Sequence, residues 1–227
     1  MSVLYIVATP IGNLEDISKR ALRILSEVDL ILCEDTRVTK KLLNHYQIET
    51  PVVSYHQHSK INKVEYIISL LKEGKDLALV SDAGTPGISD PGNKLISEVY
   101  KLGFKVYPVP GPSAVTAAAS ISGFPMDKFI FMGFPPQKKK RKKFFEEVAN
   151  SSAKYPVIFY ESTYRILKTL EELRAMDNEL TLVVCRELTK KFETVYRGNI
   201  EEVIKEIKVG EIKGEFVVIL GGKNVIK

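Results

Sequence analysis

The chain lacks any apolar run approaching the eighteen or so residues that a membrane-spanning helix needs. Its first residues show no basic flank followed by a long apolar core, so a signal peptide is not expected. Cysteine is scarce: Cys33 and Cys185 each lie within an apolar run. This usage indicates buried thiols in a reducing, cytoplasmic setting and argues against a disulfide or a metal pair.

Several signatures of common sites are also missing. There is no G-x-G-x-x-G and no G-x-x-x-x-G-K-[ST], which argues against a Rossmann dinucleotide or methyltransferase domain and a P-loop enzyme. The stretch at residues 111–115 lacks the second glycine of a nucleophile elbow, so a serine hydrolase is disfavoured. Of the three histidines, His56 and His58 could face one side of an extended segment. They have no further ligands at suitable spacing, and no metal is expected.

The positive charge is concentrated in one place. The net charge is +5, with 33 basic and 28 acidic residues. Without one run of six cations, 27 basic residues would face 28 acidic ones. The basic run consists of Lys138, Lys139, Lys140, Arg141, Lys142 and Lys143. Such a local excess favours contact with a polyanion, although a solvated helix start would have the same composition.

The apolar pattern divides the chain into two halves. Up to residue 120, short apolar runs alternate with helical patterns, which predicts a mostly parallel sheet covered on both faces. These runs lie at residues 3–8, 30–33, 52–55, 77–80 and 105–108. From residue 121 onward the strands follow one another more closely, which predicts a mixed sheet with antiparallel pairs. We therefore expect an α/β fold with two α/β domains, 1–120 and 121–227.

Three loops rich in glycine or proline follow predicted strands of the first half, at residues 9–16, 81–92 and 108–113. Ligands of open α/β sheets bind beyond the carboxyl ends of the strands. Glycine allows a close approach of the backbone to a ligand, and proline removes a donor and fixes φ. Three tight turns would also account for the composition, but three such loops on one edge favour a shared ligand crevice.

Six motifs in order carry a resemblance to a known family. They are Y-I-V-A-T-P-I-G-N-L-E-D-I, E-D-T-R, V-S-D-A-G-T-P-G-I-S-D-P-G, F-Y-E-S-T-Y-R, C-R-E-L-T-K and K-G-E-F. Together they span nearly the whole chain, which resembles the ribosomal RNA small-subunit methyltransferase I family of the tetrapyrrole-methylase superfamily. The resemblance implies two α/β domains that hold S-adenosylmethionine in the cleft between them, and a homodimer. It also implies methylation of the ribose 2′-oxygen of a cytidine in the decoding region of 16S ribosomal RNA.

The same resemblance implies the residues that contact the cofactor. The methionine end is expected to meet Asp82 and the backbone of Ala83, Gly84, Thr85 and Ile88. The remaining contacts are expected from Pro10 and Ile11 below the cofactor, Ser113 and Ala114 beside it, and Tyr160, Glu187 and Glu215 of the second domain.

The E-D-T-R motif is the candidate for catalysis. A ribose hydroxyl is a poor nucleophile, so a nearby proton acceptor or cation would help. Glu34 is the better base among the acids, and Arg37 could hold an RNA phosphate or stabilise charge. Asp35 or Thr36 could instead merely cap the following helix.

Two alternatives remain open at this stage. A methyltransferase of corrin or porphyrin precursors would share the fold, but the basic run and the E-D-T-R motif argue against it. A non-catalytic RNA-binding module would not need three glycine- and proline-rich loops. Many members of the family continue into a further helical domain, whereas this sequence stops at Lys227. The basic run is a candidate to replace the RNA contacts of that domain.

Overall fold

The computed structural model describes residues 2–56 and 61–221. The chain divides into two compact units, Met1–Ser113 and Ala114–Lys227.

The first unit is built on a five-stranded sheet in which every pairing is parallel, as the sequence predicts. Its order is β3-β2-β4-β1-β5. The strands are β1 (Val3–Val7), β2 (Leu30–Cys33), β3 (Val52–Ser54), β4 (Leu77–Leu79) and β5 (Lys105–Val109). The helices are α1 (Lys19–Glu27), α2 (Thr36–His45), α3 (Ile61–Lys72) and α4 (Asn93–Lys101).

Both faces of this sheet are covered by helices. Neighbouring residues of a strand point to opposite faces, so each strand contributes side chains to two apolar clusters. Ile31 packs in one apolar cluster with α1 and α2, whereas Leu32 packs in another with α3 and α4. Likewise, Ala78 packs in the cluster with α1 and α2, and Leu79 packs in the cluster with α3 and α4. The double burial explains why these strands read as continuous apolar runs.

The second unit holds a mixed sheet of order β6-β7-β10-β8-β9. β10 is antiparallel to β7 and β8, β8 is antiparallel to β9, and β6 is parallel to β7. The strands are β6 (Ile130–Phe131), β7 (Val157–Ser162), β8 (Thr181–Arg186), β9 (Thr194–Asn199) and β10 (Glu215–Leu220). The helices are α5 (Ala114–Ser122), α6 (Arg141–Ser152), α7 (Ile166–Met176) and α8 (Ile200–Val209).

Helix α5 groups with the second unit, whereas the sequence pattern placed it before a boundary at residue 120. Its last turn is tied to β9, because the guanidinium of Arg197 donates to the carbonyls of Ser122 and, at 2.6 Å, Ile121. Phe124 packs against Gly221, because a Cβ on Gly221 would lie only 2.6 Å from the Phe124 ring. These partners are far away in sequence, so local patterns could not reveal them.

Both cysteines are buried and free, as expected from their apolar surroundings. Burial raises the pKa of the Cys185 thiol to about 11. Across residues 2–56 and 61–221, no helix is long and apolar enough to cross a membrane, and no His/Cys/Asp/Glu cluster could hold a metal. His58 lies outside the described residues.

Candidate functional site

The three glycine- and proline-rich loops of the first unit are tied to one another at the carboxyl ends of the strands. Thr9 and Gly84 exchange two backbone hydrogen bonds of 2.9 and 3.0 Å. The Thr9 hydroxyl also donates to the Ser81 carbonyl at 3.0 Å. The Thr85 hydroxyl donates to the Pro112 carbonyl at 3.2 Å, which joins the third loop. The loops that the sequence predicted to share a crevice therefore lie together.

Gly84 links the loop after β4 to the loop after β1. It is buried and has φ +81°, a left-handed conformation that favours glycine. Its N–H is spent on Thr9, and its carbonyl accepts from both Thr9 and the Ser81 hydroxyl. The buried side chain of Ile11 lies 3.5 Å from the position a Cβ would take. Gly84 thus has no free backbone group for a ligand, and only van der Waals contact remains for its predicted cofactor role.

The other predicted residues of this loop are more accessible. Ala83 and Ile88 are exposed, and Thr85 is half-buried. The Asp82 carboxylate accepts a hydrogen bond from the backbone N–H of Asp35 at 2.9 Å. This bond joins the ends of β4 and β2, so Asp82 has a structural role as well as its charge.

A cavity of about 190 Å³ opens beside this bond. Its walls come from the loop after β1, from α2 and from the start of the loop after β4. They are formed by Thr9, Pro10, Leu14, Val38, Thr39, Lys41, Leu42, Ser81 and Asp82. The hydroxyl of Thr39, one of these lining residues, is buried. The cavity thus brings together Pro10 and Asp82, for which the family resemblance implies cofactor contacts, and it adds Thr39, which the sequence analysis did not single out.

Acidic side chains interact at the same edge. Burial raises the pKa of Glu34, and the charges of Asp82 and Asp35 raise it further, while His56 partly offsets them. Burial also raises the pKa of Asp90 to about 6, with added repulsion from Glu34 and Asp82 and a smaller opposing effect of Ser81. Sequence reasoning missed Asp90. The second Ser-Asp pair of the loop, at residues 89–90, was the available signal.

The E-D-T-R motif serves the helix as well as the site. Asp35 is the N-cap of α2 and accepts from the backbone N–H of Arg37 at 2.8 Å. The Arg37 guanidinium also donates to the Asp35 carboxylate, at 2.6 and 3.0 Å. The hydrogen bonds from Arg37 lower the pKa of Asp35 to about 2. The capping alternative is therefore correct for Asp35, while Arg37 keeps 87% of its side chain exposed.

Glu187 and Glu215 of the second unit are joined by Lys190. The ammonium group lies 2.9 Å from a carboxylate oxygen of each. Burial alone would raise the pKa of Glu187, but hydrogen bonds from Lys190 and the Glu215 backbone outweigh it, and the pKa is lowered. Glu187 has φ 53°, and its side chain packs against Gly214, where a Cβ would clash. Lys190 was not singled out from the sequence, because its partners are distant along the chain.

Tyr160 lies in a set of three aromatic rings. Its ring centroid is 5.0 Å from that of Phe131 and 5.2 Å from that of Phe134. The last two predicted cofactor residues, Ser113 and Ala114, are half-buried and lie on either side of the division between the units.

One member of the basic run is not at the surface. Arg141 is 6% exposed, and its guanidinium donates to Glu172 at 2.8 Å and to the Thr169 hydroxyl at 2.6 Å. A second carboxylate, Glu161, lies 3.7 Å away. The prediction that Arg141 binds RNA is therefore wrong, since burial and these partners occupy it. The five lysines of the run are exposed.

Comparison with known proteins identifies the fold. The family model of the tetrapyrrole (corrin/porphyrin) methylases matches residues 3–204. A solved cobalt precorrin-4 methyltransferase superposes with a TM-score of 0.71 at 18% identity, over 96% of this chain and 94% of its own. A diphthine synthase gives a TM-score of 0.74 at 17% identity, over 99% and 92%. These likenesses confirm the fold.

Curated relatives are much more similar in sequence. The ribosomal RNA small subunit methyltransferase I of Thermotoga maritima is 45% identical over 99% of this chain and 100% of its own length. The proteins of the same name from Bacillus subtilis and Halalkalibacterium halodurans are 46% and 48% identical over 99% and 97% of the chain, and 76% of their own lengths.

The family model and the curated relatives show a methyltransferase of the tetrapyrrole methylase type, whose methyl donor is S-adenosylmethionine. Within that class, the chain belongs to the ribosomal RNA small subunit methyltransferase I family.

Proposed function

We propose that this enzyme methylates the ribose 2′-oxygen of a cytidine in the decoding region of 16S ribosomal RNA. The observation that carries the proposal is identity of 45–48% over nearly the whole chain to enzymes named for small-subunit ribosomal RNA. The exposed lysines of the basic run support it, because they form a cationic surface that suits the phosphates of RNA. The proposal includes a homodimer that acts in the cytoplasm on the RNA or the assembled 30S subunit.

The residues of the first unit fit the cofactor. S-adenosylmethionine carries a sulfonium and an ammonium, and the acidic groups at the strand ends complement both charges. Asp82 and the accessible loop residues Ala83, Thr85 and Ile88 are assigned to its methionine end, with Pro10 and Ile11 as an apolar wall. Gly84 contributes by holding the loops together. The roles of Ser113, Ala114, Tyr160, Glu187 and Glu215 follow from the family resemblance and are part of the proposal.

In the proposed mechanism the cofactor supplies the methyl group and its leaving group, and the chain aligns the reactants. Glu34 accepts the proton of the ribose hydroxyl. Its raised pKa makes it a stronger base than an exposed glutamate. Arg37, exposed and oriented by Asp35, holds an RNA phosphate. No metal is assigned to the reaction.

The direct test is a methylation assay with labelled S-adenosylmethionine. Small subunits from cells that lack this activity serve as acceptors, beside naked 16S RNA and a corrin precursor. Digestion of the RNA to nucleosides is expected to yield labelled 2′-O-methylcytidine. Label on a base or on the corrin precursor would contradict the proposal. Absence of any calorimetric heat with S-adenosylmethionine would favour the non-catalytic module.

A salt titration tests the basic run. RNA contacts release counterions, so affinity for the small subunit is expected to fall with salt, by about 0.7 log units per log unit for each single-strand phosphate neutralised. Replacing Lys138, Lys139, Lys140 and Lys142 by serine is expected to flatten that slope by about two to three. Arg141 is left unchanged, since it is buried.

The matched control replaces four exposed lysines elsewhere on the chain, Lys72, Lys94, Lys101 and Lys105. Equal slopes for wild type and the basic-run variant would show that the run is only a solvated surface.

A further inference from the structure

Phe134 is a large apolar side chain left at the surface of the second unit. It is 55% exposed, although its ring rests on Tyr160, which in turn contacts Phe131. Phe134 is thus the exposed member of a cluster of three aromatic rings. Its backbone position is fixed, because the preceding residue, Gly133, accepts a hydrogen bond from the Tyr160 N–H at 2.9 Å.

The loop that follows Phe134 is held by two arginines. Arg165 donates to the Pro135 carbonyl at 2.9 Å, and Arg141 donates to the Pro136 carbonyl at 3.2 Å. Both guanidinium groups are paired with the same buried carboxylate, Glu161. The buried network therefore fixes the two prolines that connect the exposed ring to the lysines.

Those lysines begin four residues after the ring, at Lys138, Lys139 and Lys140, and all three are exposed. They precede α6, whose first residue is Arg141, so its N-terminal N–H groups add to the positive potential. The surface thus combines a rigid exposed ring with adjacent cations on one anchored loop.

We propose that Phe134 is a stacking platform for an unpaired base of the substrate RNA, whose phosphates are bound by Lys138–Lys140. A flat ring beside a row of cations matches single-stranded nucleic acid, in which bases alternate with phosphates. An acidic protein would use the cations but not the bare ring, and an apolar protein surface would leave the cations unpaired. The inference rests on the proposed function and adds a named contact to it.

The experiment measures the affinity of the whole enzyme for a single-stranded oligoribonucleotide of the decoding region containing 2-aminopurine, whose fluorescence falls on stacking. Phe134→Ala is expected to weaken binding about 5- to 150-fold and to abolish the quenching, since one stacked base contributes about that factor. Phe134→Trp is expected to keep both. The salt slope is expected to stay unchanged in Phe134→Ala, because the ring neutralises no phosphate.

Phe192→Ala is the matched control, because Phe192 is 59% exposed and also lies beside a lysine, Lys191. It is expected to bind the oligoribonucleotide as the wild type does.

Wild-type affinity in Phe134→Ala, or full activity of Phe134→Leu, would overturn the inference. So would a loss of S-adenosylmethionine affinity in Phe134→Ala, which would assign the ring to the cofactor. If the wild type neither binds nor methylates RNA, the proposed function itself fails; if it does both and Phe134→Ala matches it, only the stacking role fails.

Discussion

Replacing Glu161 by alanine is expected to lower the free energy of unfolding by about 3–5 kcal/mol. Glu161 is 1% exposed and lies 2.8 Å from the guanidinium of Arg165 and 3.7 Å from that of Arg141. It also accepts a hydrogen bond from the Thr169 hydroxyl at 2.6 Å. Its removal leaves charged and polar groups in the interior without their shared acceptor, and that loss dominates the cost.

Urea unfolding of Glu161→Ala, compared with that of a control variant, measures this effect. The matched control is Glu171→Ala in the neighbouring helix α7, where the carboxylate pairs with Lys208 and Arg174 but remains partly exposed. Such a pair contributes only about 0–1 kcal/mol. Glu161→Gln is expected to fall between the two, since an amide keeps the volume and one acceptor. Equal midpoints for Glu161→Ala and Glu171→Ala would show that the buried network adds nothing to stability.

Replacing Glu34 by glutamine is expected to slow methyl transfer about 10²- to 10⁴-fold, the usual contribution of a general base. Affinity for S-adenosylmethionine is expected to change little. Because the carboxylate must be ionised to accept a proton, the wild-type rate is expected to rise with pH through the raised pKa of Glu34 and then level off. That rising limb is expected to be absent in Glu34→Gln, since an amide does not titrate.

Single-turnover rates across pH, with calorimetry of the cofactor, separate the possible outcomes. Glu98→Gln is the control, because Glu98 is an acid in the same unit that pairs with Lys101. Loss of cofactor binding in a folded Glu34→Gln protein would move Glu34 to the cofactor site. An unchanged rate would exclude it as the base, and Asp90, with a pKa of about 6, would be the next residue to test.

Much of the fold could be predicted because its signals are local. The apolar run at residues 30–33 corresponds residue for residue to β2, and the runs at 3–8, 77–80 and 105–108 each differ from β1, β4 and β5 by one residue. Parallel pairing followed from runs that are apolar on both faces, and the closely spaced late strands correctly predicted antiparallel pairs.

The features that were missed depend on partners far along the chain. Arg141 looks like its five lysine neighbours in the sequence, yet Thr169 and Glu172 draw it into the interior. Asp90 is distinguished by burial beside Glu34, and Lys190 by its bridge to Glu215. A single sequence shows which side chains are charged, but it does not show which charges fold onto one another.

Strand β5 has a consequence for self-association. It is an edge strand, and its Val109 carbonyl faces inward to accept from the Ala8 N–H. Alternation along the strand turns Pro108 toward the open edge, where a proline offers no donor. The Pro108 carbonyl is already taken by the Arg20 guanidinium. A second chain therefore finds neither a donor nor a free acceptor at this position, which protects the edge against aggregation by strand addition. The proposed dimer is accordingly not expected to form by adding a strand at β5.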